Sequence, residues 1–161
     1  MTQQDERGDS GAAGGSPGGA AAAFPGEPIV EMRIVALPER LRLVRAVVSE
    51  AATSSGCSHS CAQDIVIAVD EACQNVIRHA YGGDPSGEIW LDIRRDGDRL
   101  AFHLVDFAPP IDQSKVRPRA LEELKPGGLG THFMKTCMDE CGFLEPPAGA
   151  GNCLRMVKRI S

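Results

Sequence analysis

The sequence predicts an α+β fold, a two-layer α/β sandwich in which helices cover one face of a mixed, mostly antiparallel sheet. Segments with alternating apolar residues and segments with helical apolar spacing follow in the order strand, helix, helix, strand, strand, loop, helix, strand, strand. Two neighbouring strands are joined through Asp96 and Gly97, a common hairpin signal, which favours antiparallel pairing. The 161 residues, 42% hydrophobic and 24% charged, suit one globular domain.

The chain is predicted to divide into a tail, residues 1–27, and a folded domain, residues 28–161. Residues 8–26 are rich in glycine and alanine and have little to bury. Because no hydrophobic gain would offset the entropy lost on ordering them, we expect a disordered tail.

The first half of the domain is predicted to be a strand followed by two helices. IVEMRIVAL, from Ile29, has the alternation of a strand. Pro38 suits the start of the first helix, whose apolar stripe begins at Leu41. The second helix is expected from about Ser60 to Ala80, because its apolar residues follow the helical period without a break.

The second half is predicted to begin with a hairpin of EIWLDIR and RLAFHLVD. The proline-rich segment 107–126 favours a loop with at most a short helix around 120–124. A glycine-rich turn should lead into a helix at about 129–139, and two last strands are expected near 142–145 and 152–160.

Charge and hydropathy give no support for a nucleic-acid partner, a membrane partner or secretion. A net charge of -5 gives no electrostatic reason to expect binding to nucleic acid or to an anionic membrane. No apolar run approaches the roughly 20 residues that span a bilayer, and the N-terminus lacks a secretion signal. We therefore expect a cytoplasmic protein.

The six cysteines are expected to stay reduced in that compartment. Cys57 and Cys61, like Cys137 and Cys141, have i,i+4 spacing, which can place two thiols on one helical face. Neither pair has the C-x-x-C spacing typical of zinc sites, so the pattern favours packing or redox sensitivity over metal binding.

The second predicted helix carries four polar residues on one side: Glu71, Asn75, Arg78 and His79. They offer a carboxylate that can take a proton, an amide oxygen that can bind a hard cation, and groups that can meet phosphate. A solvated polar face would explain the same pattern.

Asp106 shares its strand phase with Leu100, Phe102 and Leu104, so it is predicted to face the apolar side of the sheet. A carboxylate there needs a partner, because burying an unpaired charge is costly. Two partners fit the sequence: the exocyclic amine of a nucleobase, or a local Asx-type turn before Pro109.

The segment PGGLGTHF, residues 126–133, precedes a predicted helix. Its glycines permit close backbone approach, and the free N–H groups of the helix start can hold an anion. A plain turn is the alternative. No Lys-Ser or Lys-Thr pair follows the glycines, which excludes a Walker-type loop.

In their order and spacing, these segments resemble the GHKL superfamily of histidine-kinase-like ATPases, and specifically the bacterial anti-sigma factor serine kinases. DEACQNVIRHAY is similar to the family's N box, and VDFAPPID is similar to the box that follows it. GGLGTHFMKTCMDE resembles the glycine box, and GNCLRMVKRI resembles the closing strand. The similarity covers about residues 28–161 and implies the histidine-kinase-like ATPase fold.

The resemblance implies ATP and Mg²⁺ as cofactors and assigns roles to individual residues. Glu71 would be the general base that activates a serine hydroxyl, Asn75 would bind the magnesium ion, and Asp106 would recognise the adenine amine. Gly128 and Gly130 would frame the phosphates, with His79 and Thr131 as further phosphate contacts. Phosphoryl transfer depends mainly on such positioning and charge neutralisation.

The resemblance also implies partners: a sigma factor that the protein sequesters, an anti-anti-sigma antagonist that it phosphorylates, and a second copy in a homodimer. Arg40, Arg42 and Arg45 of the first helix are candidates for partner docking. One position departs from the family pattern, because Ala108 stands where the family has glycine. Its methyl group is expected to crowd the adenine or to restrict a backbone angle.

Three other hypotheses are compatible with parts of the sequence. The first is a regulatory module with the same fold that controls a partner by contact and has no kinase activity. The second is a cysteine-based redox or zinc switch. The third is a two-component histidine kinase, which the length of the chain disfavours because it leaves no room for a dimerisation helix pair.

Overall fold

The computed structural model describes residues 24–112 and 129–160 of the chain. Nearly all of the predicted tail, and most of the predicted loop with its short helix around 120–124, lie outside these ranges. In chain order the elements are β1 (Glu27–Val35), a 3₁₀ turn (Pro38–Arg40), α1 (Leu41–Ser54), α2 (His59–Asn75), a π-helical turn (Val76–Ala80), β2 (Glu88–Asp96), β3 (Arg99–Asp106), α3 (Leu129–Cys137), β4 (Glu140–Leu144) and β5 (Asn152–Arg159).

The five strands form one sheet in the order β1-β2-β3-β5-β4. Every neighbouring pair is antiparallel, so the predicted mixed, mostly antiparallel sheet is antiparallel throughout the described residues. The register pairs Ile89 with Asp106, and Asp106 with Asn152. The ends of three neighbouring strands, β2, β3 and β5, therefore meet at one end of the sheet, beside the end of α2.

The hydrophobic core lies between one face of the sheet and the helices. Alternate strand residues such as Ile93 and Phe102 are fully buried, as are Ile65 and Val69 on α2. These side chains belong to one continuous apolar cluster, as expected when a period of two on strands meets a helical stripe. The two-layer α/β sandwich is confirmed. Within the described residues, no helix is both long and apolar enough to span a membrane.

The other face of the sheet carries a buried polar group around His103. The Arg94 guanidinium donates to Asp92 at 2.9 Å, and the ring of Phe24 stacks on His103 with a centroid separation of 3.9 Å. Burial opposes ionisation of Asp92, but hydrogen bonds from His103 and Arg94 hold the pKa of its carboxyl below the ordinary value. Residues just before β1 thus cover part of the face that lacks helices.

The second helix differs from the prediction at its C-terminal end. A continuous α-helix was expected to Ala80, but the last turn is π-helical, and the Tyr81 N–H donates to the Val76 carbonyl at 2.9 Å. The Tyr81 hydroxyl donates to the Glu88 carbonyl at 2.6 Å and accepts the Phe107 N–H at 2.8 Å. Tyr81 thus links this turn by hydrogen bonds to β2 and to the residue after β3. The helical period of the sequence does not predict these contacts, because they join distant segments.

Candidate functional site

A cavity of about 470 Å³ lies among the end of α2, the π-helical turn, the ends of β3 and β5, and α3 with β4. It is lined by Ala72, Asn75, Val76, His79, Ala80, Leu104, Asp106, Ile111, Met134, Lys135, Cys141, Gly142, Phe143 and Leu154. The wall is therefore mostly apolar, with a small number of polar groups that converge on it. That composition is typical of a site for a small organic ligand.

Three predicted residues from two separate segments meet at this cavity: Asn75 and His79 from the second helix, and Asp106 from a strand. Asn75 ends α2, and His79 lies in the π-helical turn, and both line the cavity beside the ends of β3 and β5. Neither side chain has a hydrogen-bond partner within 24–112 and 129–160. The amide oxygen of Asn75 and the ring of His79 are thus available to a ligand.

The predicted polar side of α2 is divided between the cavity and other surroundings. The Arg78 guanidinium donates to the Gln74 side chain, which donates to Asp70 at 2.8 Å, and Asp70 also accepts from Arg45 at 2.8 Å. This chain of hydrogen bonds links α2 to α1. Arg78 itself is exposed, so the alternative of a solvated polar face applies to it.

Glu71 lies one turn before Asn75 on α2 and is partly exposed. It does not line the cavity, although the next residue, Ala72, does. Its carboxylate makes no hydrogen bond within the part of the chain that the structure describes, which leaves it available near the cavity rim.

Asp106 is almost completely buried at the end of β3. Its Oδ1 atom accepts from the Ala108 N–H at 3.0 Å and from the Asn152 side chain at 2.8 Å. Burial raises the pKa of the Asp106 carboxyl, and these two hydrogen bonds oppose the rise. The local Asx-type turn is therefore present, but it uses only one oxygen, and Oδ2 has no hydrogen bond within the described residues.

Ala108 causes no backbone strain in this turn. Within residues 24–112 and 129–160, no residue other than glycine has a positive φ. Ala108 is buried and does not line the cavity. The expected restriction of a backbone angle is therefore absent.

The glycine segment is only partly described. Gly128 lies outside the described residues, whereas Gly130 and Thr131 belong to the first turn of α3, which begins at Leu129. A helix starting here is consistent with the predicted helix, although it ends at Cys137 and not at Asp139. The Asp139 N–H instead donates to the Val157 carbonyl at 2.9 Å, which joins that residue to the sheet.

Two residues at the site, Lys135 and Asn152, were not predicted from the sequence. Lys135 lines the cavity from α3, and Asn152 contacts Asp106. The phase of β5 contained a signal for Asn152, because this residue alternates with the inward-facing Leu154 and Met156.

The cysteines do not form a metal centre in the described part of the chain, where no group of three or more potential ligands occurs. All six thiols are free. In the two spaced pairs, burial raises the pKa of Cys57 to about 12 and also raises the pKa values of Cys137 and Cys141. Thiols that remain protonated are poor nucleophiles and poor metal ligands, which disfavours the redox or zinc switch.

The donor set around the cavity suits an adenine nucleotide. Apolar walls such as Leu104 and Phe143 can hold an aromatic ring, and Oδ2 of Asp106 can accept a hydrogen bond from an amine group. Asn75, His79 and Lys135 provide an amide oxygen and nitrogen groups of the kind that a metal-bound phosphate chain needs.

Comparisons with known proteins find related domains and sequences. The profile of the histidine kinase-like ATPase domain matches residues 34–158. Serine-protein kinase RsbW from Bacillus subtilis is 34% identical over 119 residues, which cover 69% of this chain and 74% of that protein. RsbW from Bacillus velezensis is 34% identical over 140 residues, covering 82% and 86% of the two chains.

Solved structures show the same fold. The RsbU and RsbW domains of Rv1364c from Mycobacterium tuberculosis align with a TM-score of 0.58 and 22% identity, covering 83% of this chain and 33% of that one. The histidine kinase domain of a blue-light activated kinase from Erythrobacter litoralis aligns with a TM-score of 0.51 and 16% identity, covering 76% and 60%. Together with the profile and the sequence relatives, they show that the chain belongs to the histidine kinase-like ATPase domain family.

Proposed function

We propose that this protein is an ATP-dependent protein-serine kinase that sequesters a sigma factor and phosphorylates an anti-anti-sigma antagonist. The observation that carries the proposal is the convergence of Asn75, His79 and Asp106 on one cavity, in a chain 34% identical to serine-protein kinases over 119 residues. ATP use follows from the family, and the remaining assignments are inferences from the site.

The base of the nucleotide would bind at the inner end of the cavity. Among the cavity-lining residues that the structure describes, Asp106 is the only acidic one, and its free oxygen accepts hydrogen bonds when the carboxyl is ionised. Adenine has an amine donor at the position where guanine has a carbonyl acceptor, so an ionised Asp106 selects adenine.

The phosphates would lie toward the end of α2 and the start of α3. The amide oxygen of Asn75 would hold Mg²⁺, and His79 and Lys135 would face the phosphate oxygens. The backbone at Gly128, Gly130 and Thr131 would add N–H donors, since a helix start attracts anions. Mg²⁺, when bound, neutralises phosphate charge during transfer.

Glu71 would act as the general base. A carboxylate at the cavity rim can take the proton of a serine hydroxyl as the oxygen attacks the terminal phosphorus atom, and ADP leaves on the opposite side. Because Glu71 is partly exposed, a serine on another protein can approach it from solvent. Glu71, as the general base, would therefore lie apart from the residues that bind the nucleotide.

The two partners, a sigma factor and an anti-anti-sigma protein, are proposed by analogy with the related kinases. Arg40 and Arg42 are exposed on the first helical segment, whereas Arg45 is bonded to Asp70 at 2.8 Å and is less available for docking. A homodimer and a cytoplasmic location belong to the same proposal, as does the absence of nucleic-acid and membrane partners.

The proposal is tested by incubating the protein with labelled ATP, Mg²⁺ and an anti-anti-sigma protein, and by comparing Glu71→Gln, Asn75→Ala and the control Glu50→Gln. Glu50 is an exposed residue of α1 and should tolerate the change. We expect Glu71→Gln to bind ATP normally and to lose transfer by about 10²–10⁴-fold. Asn75→Ala should lose Mg²⁺-dependent binding as well as transfer.

Other outcomes favour the alternatives. If the wild-type protein binds ATP and transfers no phosphate to any serine-bearing antagonist, the regulatory module without kinase activity is the better description. If it binds no adenine nucleotide, the assignment of the cavity is wrong.

A further inference from the structure

Asn152 is held by the backbone in one orientation at the start of β5. Its Oδ1 atom accepts the Ile111 N–H at 2.8 Å. Because a backbone N–H can only donate, the oxygen and nitrogen of the amide cannot be exchanged here. The Nδ2 group therefore faces Asp106 at 2.8 Å and the Pro109 carbonyl at 3.3 Å.

This orientation has a consequence for the charge of Asp106. An amide N–H that donates to a carboxyl oxygen stabilises the ionised form, because a hydrogen bond to a charged oxygen is stronger than one to a neutral carboxyl group. The Ala108 N–H donates to the same oxygen at 3.0 Å. Both donors thus occupy Oδ1, and Oδ2 is left as an acceptor beside the cavity.

The same amide connects the strand ends with the turn that follows β3. Asn152 bonds to Pro109 and Ile111 on one side and to Asp106 on the other. Ile111 itself lines the cavity. The side chain of Asn152 therefore fixes the Asp106 carboxylate relative to Ile111, which forms part of the cavity wall.

We propose that Asn152 is a positioning residue for base recognition, which keeps Asp106 ionised, directs its Oδ2 atom to the exocyclic amine of adenine, and holds the 107–111 turn against the base. The inference rests on the proposed nucleotide site. Asn152 does not line the cavity, yet the preference for adenine over guanine would depend on it.

The pH dependence of this arrangement depends on the groups around Asp106. Burial raises the pKa of the Asp106 carboxyl. The carboxylate that accepts a hydrogen bond from the amine is present above that pKa and is lost as the pH falls through it. The other titratable groups at the site in the described residues are His79 on the π-helical turn, Lys135 on α3, Cys141 on β4 and Cys153 on β5. The substitutions used in the test leave these four residues in place.

The test compares the wild type with Asn152→Leu and Asn152→Asp, two changes of similar size with different chemistry. ATP and GTP affinities are measured by calorimetry from pH 5 to 8 with the full-length protein, and the Asp106 carboxyl is titrated by ¹³C NMR without nucleotide. Comparison at each pH cancels the titration of the nucleotide phosphates, which is common to all samples. Gln63→Ala, an exposed change on α2, is the control.

We expect Asn152→Leu to lose about tenfold or more in ATP affinity, as when a hydrogen bond to a charged group is removed. Its preference for ATP over GTP should fall, and its Asp106 should titrate at higher pH than in the wild type. Asn152→Asp should bind ATP weakly at pH 8, where two carboxylates repel. It should improve on acidification, when a shared proton restores the hydrogen bond.

Opposite pH trends in the two variants support the proposal, because a general loss of packing cannot produce them. Wild-type affinity, ATP preference and Asp106 titration in both variants would overturn this inference and leave the proposed function intact. A wild-type protein that binds no adenine nucleotide would overturn the proposed function, and this inference with it.

Discussion

At the scale of single residues, the ends of β3 and β5 approach each other closely at Gly151. The Gly151 N–H donates to the Asp106 carbonyl at 2.8 Å. A Cβ atom at Gly151 would lie 1.7 Å from the Ala108 carbonyl oxygen, which is backbone and cannot rotate away. The turn that places the N–H of Ala108 against Asp106 therefore requires the absence of a side chain at position 151.

Gly151→Ala should destabilise the protein by about 1–3 kcal/mol, because the added methyl forces the 106–108 turn away from β5. Urea unfolding measures the change. Gly142→Ala is the matched control, since a Cβ atom there has no neighbour within 4 Å and the change should stay within about 0.5 kcal/mol. Equal stability of the two variants would contradict the close approach.

At the scale of elements, the two ends of α2 have separate roles. Ser58 caps the start of the helix by accepting the Cys61 N–H at 3.2 Å. At the other end the π-helical turn changes the direction of the side chains after Asn75, and such turns are frequent at functional sites. The stability of the helix and the geometry of the cavity are therefore controlled at opposite ends.

Ser58→Ala should lower the free energy of unfolding by about 1 kcal/mol, the usual effect of losing an N-cap. Ser49→Ala, in the exposed middle of α1, should have little effect. Chemical unfolding tests both variants, and ATP affinity under native conditions should be the same in each because the cap is remote from Asn75. Reduced ATP affinity in Ser58→Ala at a temperature where it is folded would contradict this separation.

At the scale of the whole molecule, the buried thiols link stability to alkaline pH. Cys73 is fully buried in the core, and burial, with a smaller contribution from Asp70, raises the pKa of its thiol to about 12. The unfolded chain ionises this thiol near its ordinary value of 9.0, while the folded protein keeps it neutral. Its contribution is therefore complete below pH 9 and declines as the pH rises toward 12.

Cys73→Ala should consequently flatten the loss of stability above pH 9. The wild type should lose roughly 1 kcal/mol more than the variant for each pH unit in the lower part of this range. Urea midpoints at pH 7, 9 and 10 under reducing conditions provide the comparison. Parallel curves for the two proteins would show that the thiol ionises equally in both states.

Much of the architecture follows from local patterns. Alternation identified β2 and β3, and the helical stripe identified α2, because one face of each element must be buried. The hairpin was predicted at Asp96 and Gly97, whereas its two-residue turn is Gly97–Asp98, since Asp96 still pairs with Arg99. Gly97 has a φ of +60°, which a glycine adopts without strain at this turn position.

The candidate site was predictable in part. The motifs indicated Asn75, His79 and Asp106, which line one cavity, and also Glu71, which does not; the roles of all four remain predictions. The role of Asn152 was not visible, because it depends on hydrogen bonds to residues 41 and 46 positions away in the chain. The glycine segment at Gly128 lies outside the described residues.

The sequence by itself determined the order of strands and helices, the side of each element that is buried, and the chemical groups available to a ligand. Those properties depend on the period of neighbouring residues along the chain. Only the tertiary structure decided which polar groups share a cavity, which oxygen of Asp106 remains free, and that Arg78 bonds to its own helix. These follow from strand register and hydrogen bonds between distant segments, which no local pattern specifies.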